Sequence, residues 1–493
     1  MGTLINLKND IGVILKQLFD NLIFLNIFLS IIIIFFQRKE AKSTWAWLLL
    51  LYAIPILGFV IYLLAGTDMH KRKMFKTKGI EDRISEAIQK QETSIINREF
   101  QLNDPQISEY SDLILYNLEA SGSVLDYNNK VQVFTDGVEK FETLMEDIRY
   151  ATDYIHIQYY IIRDDFLFQD ICELLIVKAM EGVEVRILYD GMGCRGISKR
   201  FWKNLNKNGI KTVEFFPPLL RKLHLRINYR NHRKIVVIDG KIAYMGGFNI
   251  GKEYVGQSKR FGYWRDTHLK IEGSSVNALQ VRFLLDWNYA SRENLFSKEK
   301  YLAEKLVDKT GESRIQIISS GPDSRMPNIR NNYLRLITKA KKSIYIQTPY
   351  FIPDDAIMSS LLIAVYSGIE VNIMIPCKPD HPFVYWATYS YIGDLVKAGA
   401  NCYTYQNGFL HAKGMIIDSK VLCYGTANMD IRSFDLNFEV NAVIYDEDEA
   451  KKMQNIFQED IKKSDRITKD KYFRRTFIIR VKEQISRLLS PLL

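Results

Sequence analysis

Five cysteines among 493 residues (Cys172, Cys194, Cys377, Cys402, Cys423) are odd in number and form no C-x-x-C pair, which leaves neither a disulfide framework nor a zinc site to build on. A reducing compartment is the simpler reading. Histidine is nearly as scarce, at seven, so a pattern that uses it twice is informative. Acidic side chains are outnumbered, 57 against 67 basic, and the resulting +10 suits an anionic partner, nucleic acid or an acidic membrane, without choosing between them. The one glycine-rich turn after a strand pattern, Asp190-Gly191-Met192-Gly193, is too weak a signal for a dinucleotide site. The length leaves room for two domain-sized cores plus appendages.

What is present is a repeat. The pattern H-x-K-x4-D occurs at His232, Lys234, Asp239 and again at His411, Lys413, Asp418. A glycine and an asparagine follow each copy at one spacing, Gly246 and Asn249 in the first, Gly425 and Asn428 in the second. Residues two apart on an extended chain share a face, so each histidine points with its lysine. The apolar runs 235–238 and 414–417 read as buried strands ending in Asp-Gly or Asp-Ser, a hairpin signal. Asp239 and Asp418 thus sit at turns, where an aspartate serves the backbone as often as a site.

Two histidines and two lysines on convergent faces suit phosphodiester chemistry. The lysines supply fixed positive charge to phosphate oxygens, so no metal or cofactor is expected. One neutral histidine can attack phosphorus while the other, protonated, gives its proton to the departing alcohol oxygen. An incoming alcohol then reverses these roles, exchanging one ester for another.

The two boxes with their trailing residues resemble those of the phospholipase D superfamily, whose members build one site between two homologous halves. The stretches 225–254 (LRINYRNHRKIVVIDGKIAYMGGFNIGKEY), 263–273 (YWRDTHLKIEG), 43–66 and 486–493 resemble its cardiolipin synthase branch. The resemblance implies that His232 and His411 are nucleophile and acid/base, His232 being the nucleophile by superfamily tendency. It implies that Lys234, Lys413, Asn249 and Asn428 hold the phosphate, that Asp239 and Asp418 support the site, and that Asp266 and Glu439 each orient a histidine. One departure stands out: many members carry Gly-Ser-x-Asn after the box, whereas this chain has Gly246-Gly247-Phe248-Asn249 and Gly425-Thr426-Ala427-Asn428. A backbone N–H would have to replace a hydroxyl in the first half. The implied activity is transfer of a phosphatidyl group from one phosphatidylglycerol to another, giving cardiolipin and glycerol, with anionic membrane lipids as partners and no nucleic acid. Hydrolysis to phosphatidic acid is the alternative.

The duplication extends beyond the boxes. Ile155-His156-Ile157-Gln158 recurs as Ile344-Tyr345-Ile346-Gln347, and Gly182-Val183-Glu184-Val185 as Gly368-Ile369-Glu370-Val371. With helical patterns over 168–180 and 357–366 between them, each half reads as strand, helix, strand, helix and box-bearing hairpin. The expected fold is therefore α/β: two homologous halves, each a mixed sheet flanked by helices, related by a pseudo-twofold, over 120–300 and 301–470. The first half has extra chain before its box, including the basic and apolar 219–226, which reads equally as a lipid-touching flap or a plain loop. His156, His224, His268 and His381 lack repeated partners and read as ordinary.

The ends speak for a membrane. Residues 45–66 carry no charge over 22 positions, enough for about 30 Å of hydrocarbon at about 1.5 Å per residue, and 22–36 form a weaker apolar run before them. The expectation is a two-helix transmembrane hairpin over 1–68, then a basic juxtamembrane segment and linker over 69–119. Basic residues on the flanks outnumber those in the 37–44 loop, which places the catalytic halves in the cytoplasm of a multi-pass cell-membrane protein. Residues 471–493 carry six basic side chains and one acidic, with Ile478, Val481, Ile485 and Leu488 at helical spacing. Such a helix either lies in the membrane interface or packs on the core.

Overall fold

The computed structural model describes residues 105–216, 229–301 and 311–490, parts of 21–35 and 41–62, and residues 91 and 93. Two compact units emerge: residues 1–70 with 218–228 and 485–493, and residues 71–217 with 229–484.

In the first unit, residues 23–31 are helical and a second helix covers Ala41–Ala53. Their contact is polar inside. Asn26 donates to the Leu51 carbonyl at 3.1 Å, and Ser30 donates to the Tyr52 hydroxyl at 3.2 Å, beside a small cluster of Ile33, Trp47, Leu51 and Tyr62. Phe24, Phe28, Phe35, Trp45 and Ile56 face outward. Among the described residues no helix is long and apolar enough to cross a membrane. The expected spans at 22–36 and 45–66 fall partly outside the described residues.

The second unit holds the repeat. Half one supplies strands β1 (Leu125–Phe134), β2 (Tyr154–Tyr159), β3 (Glu184–Asp190), β4 (Lys211–Phe215), β5 (Arg230–Asn231), β6 (Ile235–Ile238), β7 (Ile242–Gly246), β8 (Trp264–Arg265) and β9 (His268–Glu272). Half two supplies β10 (Ser313–Ser320), β11 (Ser343–Gln347), β12 (Phe351–Ile352), β13 (Glu370–Pro376), β14 (Asn401–Tyr405), β15 (Phe409–Leu410), β16 (Gly414–Ile417), β17 (Val421–Gly425), β18 (Met429–Asp430), β19 (Asn437–Tyr445) and β20 (Ser464–Arg466). One 16-stranded mixed sheet runs through both halves, joined where β1 pairs antiparallel with β10. Reading outward from that junction, half one runs β1-β9-β7-β6-β2-β3-β4 and half two β10-β19-β17-β16-β11-β13-β14. The seven strands on each side of the junction correspond in order, as a twofold relation requires, and half two adds β20 beyond β14.

Local chemistry explains the central strands. β2 and β3 pair in parallel, and every residue of β2 is buried, including His156 and Gln158, whose side chains find buried partners in Gln280, Asn231 and Asp286. The box strands turn back where the sequence places a turn: Asp239 (φ 53°) with Gly240 (φ 65°), and Asp418 (φ 52°) with Ser419 (φ 56°). Two successive left-handed residues match the twist of a tight hairpin. Helices Phe166–Met180 and Asp355–Tyr366 occupy the helical patterns read from the sequence. The structure adds a helix at Ser111–Ser121, within the stretch read as linker, whose Leu113 and Ile114 enter the core of half two.

At the far end, helix Phe477–Leu488 presents its faces in an unexpected sense. Phe477 is 78 % and Ile478 65 % exposed, while Glu483 is 0 % exposed and held by Arg475 at 2.7 Å. Glu483 and Ser486 are buried, while Phe477, Ile478, Val481, Ile485 and Leu488 are bare together with Arg480 and Lys482.

Candidate active site

Each box is stitched to the opposite half. β5 runs parallel to β19, and the His232 N–H then donates to the Phe438 carbonyl at 3.0 Å; β15 runs parallel to β8, and the His411 N–H donates to the Arg265 carbonyl at 2.7 Å. The next residue on each partner strand is a carboxylate. Glu439 therefore meets His232 (Nδ1 to Oε1 2.9 Å), and Asp266 meets His411 (Nδ1 to Oδ2 2.6 Å). Both pairs cross between halves. A carboxylate at Nδ1 holds the proton there and leaves Nε2 with the lone pair needed for chemistry.

The lysines lie beneath the histidines and are wholly buried. Lys234 donates to the His232 carbonyl at 2.7 Å; Lys413 donates to the His411 carbonyl and lies 3.8 Å from Asp266. Burial pushes Lys234 down to about 7 and Lys413 down to about 8, with Glu439 and Asp266 opposing the shifts. Burial, then the Lys413 charge, lowers His411 to about 4, and burial also lowers His232. Each histidine feels the lysine of the other box as well as its own, so the two boxes form one electrostatic cluster. For Asp266 and Glu439, burial alone would raise the carboxyl, but the neighbouring lysines and histidines outweigh it and hold both below the usual range. Any entering phosphodiester restores protons to the imidazoles and ammoniums together.

The aspartates of the boxes are elsewhere. Asp239 closes the far end of β6 and accepts from the N–H groups of Thr152, Asp153 and Tyr154 at 2.8, 2.8 and 2.9 Å; Asp418 accepts from those of Lys341, Lys342 and Ser343 at 2.8, 2.7 and 2.8 Å. Each ties its hairpin turn to the entry of β2 or β11, with no contact to a histidine. The asparagines differ from one another. Asn249 accepts from Ile161 N and donates to the Tyr254 hydroxyl, so both ends of its amide are spent on the fold, whereas Asn428 keeps a buried carbonyl oxygen without a partner.

The Gly247 departure has a spatial cause. In half two, Thr426 donates to Glu439 at 2.5 Å. In half one, a Cβ on Gly247 would lie 1.9 Å from Asp266 Oδ1, so the carboxylate itself fills the place of a side chain. A backbone N–H does stand in, from Thr267 at 2.8 Å rather than from the residues after the box.

Other residues of the site carried no signal that the sequence reading used. Arg233 bridges Asp286 (2.7 Å) to the Glu439 carbonyl (3.1 Å), and Arg265 bridges Asp460 (2.9 Å) to the Asp266 carbonyl. Gln158 and Gln347 complete these clusters at 2.6 and 2.9 Å from the same aspartates. Both glutamines end the repeated segments noted above, which was the available clue. Tyr160 stands edge-on to His232 at 4.7 Å between ring centres, and Trp264 packs 5.0 Å from His411. Of the unrepeated histidines, His156 is buried against Gln280, and burial lowers it to about 3.

Two sheet halves in one order, with paired histidines and lysines at their junction, define a phospholipase D-like protein. Residues 144–262 and 333–461 match the family model described as cardiolipin synthase, PLD-like domain, and residues 24–66 match that of the phospholipase D-nuclease N-terminal region. The chain is 49% identical over 476 residues to the major cardiolipin synthase ClsA of Bacillus subtilis (strain 168), covering 95% of this chain and 97% of that protein. It is 48% identical over 488 residues to a cardiolipin synthase of Staphylococcus aureus (strain N315), covering 98% of each. The crystal structure of phosphatidylserine synthase from Haemophilus influenzae Rd KW20 shares the fold, with a TM-score of 0.58 at 15% identity over 74% of this chain and 95% of that one. The chain belongs to the cardiolipin synthase family of phospholipase D-like proteins.

Proposed function

We propose that this protein is a membrane-bound phosphatidyltransferase that joins two phosphatidylglycerol molecules into cardiolipin and glycerol through a phosphohistidine. The observation that carries the reading is the pair of crossed histidine–carboxylate contacts, His232 with Glu439 and His411 with Asp266. In the first step, Nε2 of one histidine forms a bond to phosphorus, the bond from phosphorus to the glycerol head-group oxygen breaks, and the second histidine gives that oxygen its proton. In the second step, the second histidine takes the proton from the terminal hydroxyl of another phosphatidylglycerol, whose oxygen displaces the first histidine from phosphorus. Lys234 and Lys413 balance the phosphoryl charge. One phosphodiester replaces another, so no nucleotide is consumed.

Near-complete burial of both histidines favours a lipid alcohol over water as acceptor. The polar-in, apolar-out packing around Asn26 and Ser30 suits a lipid environment for the N-terminal segment, and the excess of basic residues flanking it supports a cytoplasmic side for the catalytic halves. The test is incubation of the purified chain with phosphatidylglycerol vesicles alone, followed by lipid mass spectrometry and acid-quench mapping of phosphohistidine. Cardiolipin with a label on His232 or His411 is the expected result. Phosphatidic acid as the sole product would make the protein a hydrolase, and cardiolipin formed with no labelled histidine would end the covalent mechanism.

A further inference from the structure

The two mouths of the site are not alike. Tyr160 and Tyr350 occupy equivalent places, each opening a repeated stretch, Tyr160-Ile161-Ile162-Arg163-Asp164-Asp165 and Tyr350-Phe351-Ile352-Pro353-Asp354-Asp355. Beside one carboxylate, Asp190, three cations gather around Tyr160. Its ring stands 4.7 Å from His232 with Lys234 Nζ 5.3 Å from the ring centre, Arg230 is hydrogen-bonded to its hydroxyl, and the Arg432 guanidinium lies within electrostatic reach of both. Arg230 precedes His232 by two residues along β5, so the two side chains leave the strand on one side. Around Tyr350 the neighbours are acidic: its hydroxyl donates to Asp380, and Asp430 also acts on it.

The sequence builds this polarity. At the place of Arg230 the second half has Phe409, and at the place of Arg432 the first half has Glu253. The two arginines come from different halves and press on one another, burial and the Arg230 charge together lowering Arg432. The nearest acids are engaged with backbone: Asp190 accepts from Asn231, Met192 and Gly193 at 2.9, 3.0 and 2.9 Å, and Asp430 from Ser433 at 2.6 Å. Two guanidiniums held together beside a phosphoryl-transfer site make a fork for a second phosphate, since each matches phosphate oxygens with paired donors.

We infer that Arg230 and Arg432 form a second phosphodiester subsite, which holds the phosphate of the acceptor lipid while its terminal hydroxyl enters the reaction. The inference rests on the transferase reading and extends it, for a donor phosphatidylglycerol has one phosphate and the reaction needs two in the site at once. Asp380, beside Tyr350, disfavours a second phosphate on that side. An acceptor without a phosphate, such as free glycerol, gains nothing from the arginines.

The experiment gives the full chain phosphatidylglycerol vesicles and labelled glycerol, and reads two products of one intermediate: cardiolipin and head-group-exchanged phosphatidylglycerol. In Arg230→Gln and Arg432→Gln the ratio of cardiolipin to exchanged lipid falls by about tenfold or more, from loss of charge-assisted hydrogen bonds. Arg230→Lys and Arg432→Lys, which keep the charge, recover part of the ratio. An unchanged ratio overturns the subsite, whatever the absolute rates, and so does an equal collapse of both products, which would make the arginines structural. A wild-type chain that exchanges glycerol yet forms no cardiolipin overturns the transferase reading itself.

Discussion

Protonation decides how this site works. Burial lowers the pKa of both imidazoles, that of Lys234 to about 7 and that of Lys413 to about 8. Both lysine values lie below the ordinary 10.5, so their ammonium charge is nearly full at about pH 6 and drains as pH rises through about 7 to 8. The parameter kcat/KM reports the free enzyme and should fall across that window, while kcat, which reports the loaded enzyme, should hold to higher pH because the bound anion returns the protons. Parallel pH profiles of the two parameters in mixed micelles check this; a kcat/KM flat from about 6 to 9 would contradict it. At this scale the sequence reading found His232, Lys234, His411 and Lys413 from spacing alone, and Asp266 and Glu439 through resemblance. Spacing could not say which histidine each carboxylate serves, because the partners lie 145 and 207 residues apart.

Among the elements, the short parallel pairs β5 with β19 and β8 with β15 are what bring the carboxylates across. An arginine supports each, and the two are exchanged in position: Arg233 follows the first histidine where the second box has Ala412, and Arg265 precedes Asp266 where the other half has Phe438. At either junction one slot holds an arginine and the facing slot does not, and that arginine forms the ion pair with the buried aspartate, Asp286 or Asp460. Replacing Asp286 by Ala strands a buried guanidinium and should cost about 3–5 kcal/mol. The double replacement Arg233→Met with Asp286→Leu should recover most of that loss in denaturant midpoints. Equal loss in single and double variants would show that the pair does not act as a charge pair. The strands, the hairpin turns and two flanking helices were legible because period and turn chemistry are local. The arginine exchange was not, since it depends on two strands far apart in the chain.

For the molecule as a whole, the surfaces that meet lipid are the remaining question. A terminal helix packed on a protein core should bury its apolar stripe, yet Phe477–Leu488 buries Glu483 and bares Phe477, Ile478 and Val481 beside Arg474 and Arg480. That arrangement favours the membrane-interface reading of this segment over the core-packing one. Replacing Phe477 and Ile478 by Asp should lower kcat/KM on vesicles by about tenfold relative to micelles, where the lipid comes to the enzyme. Equal effects in both would assign the helix to folding.

The sequence by itself determined the duplicated boxes, the α/β character of each half and the apolar N-terminal stretches, because these rest on spacing, period and composition within short windows. Only the tertiary structure decided that each histidine is served by the opposite half and that Asp239 and Asp418 pin turns. The reason is physical: a carboxylate or guanidinium acts through space over a few ångströms, and the chain reaches those distances only after both halves close on one another.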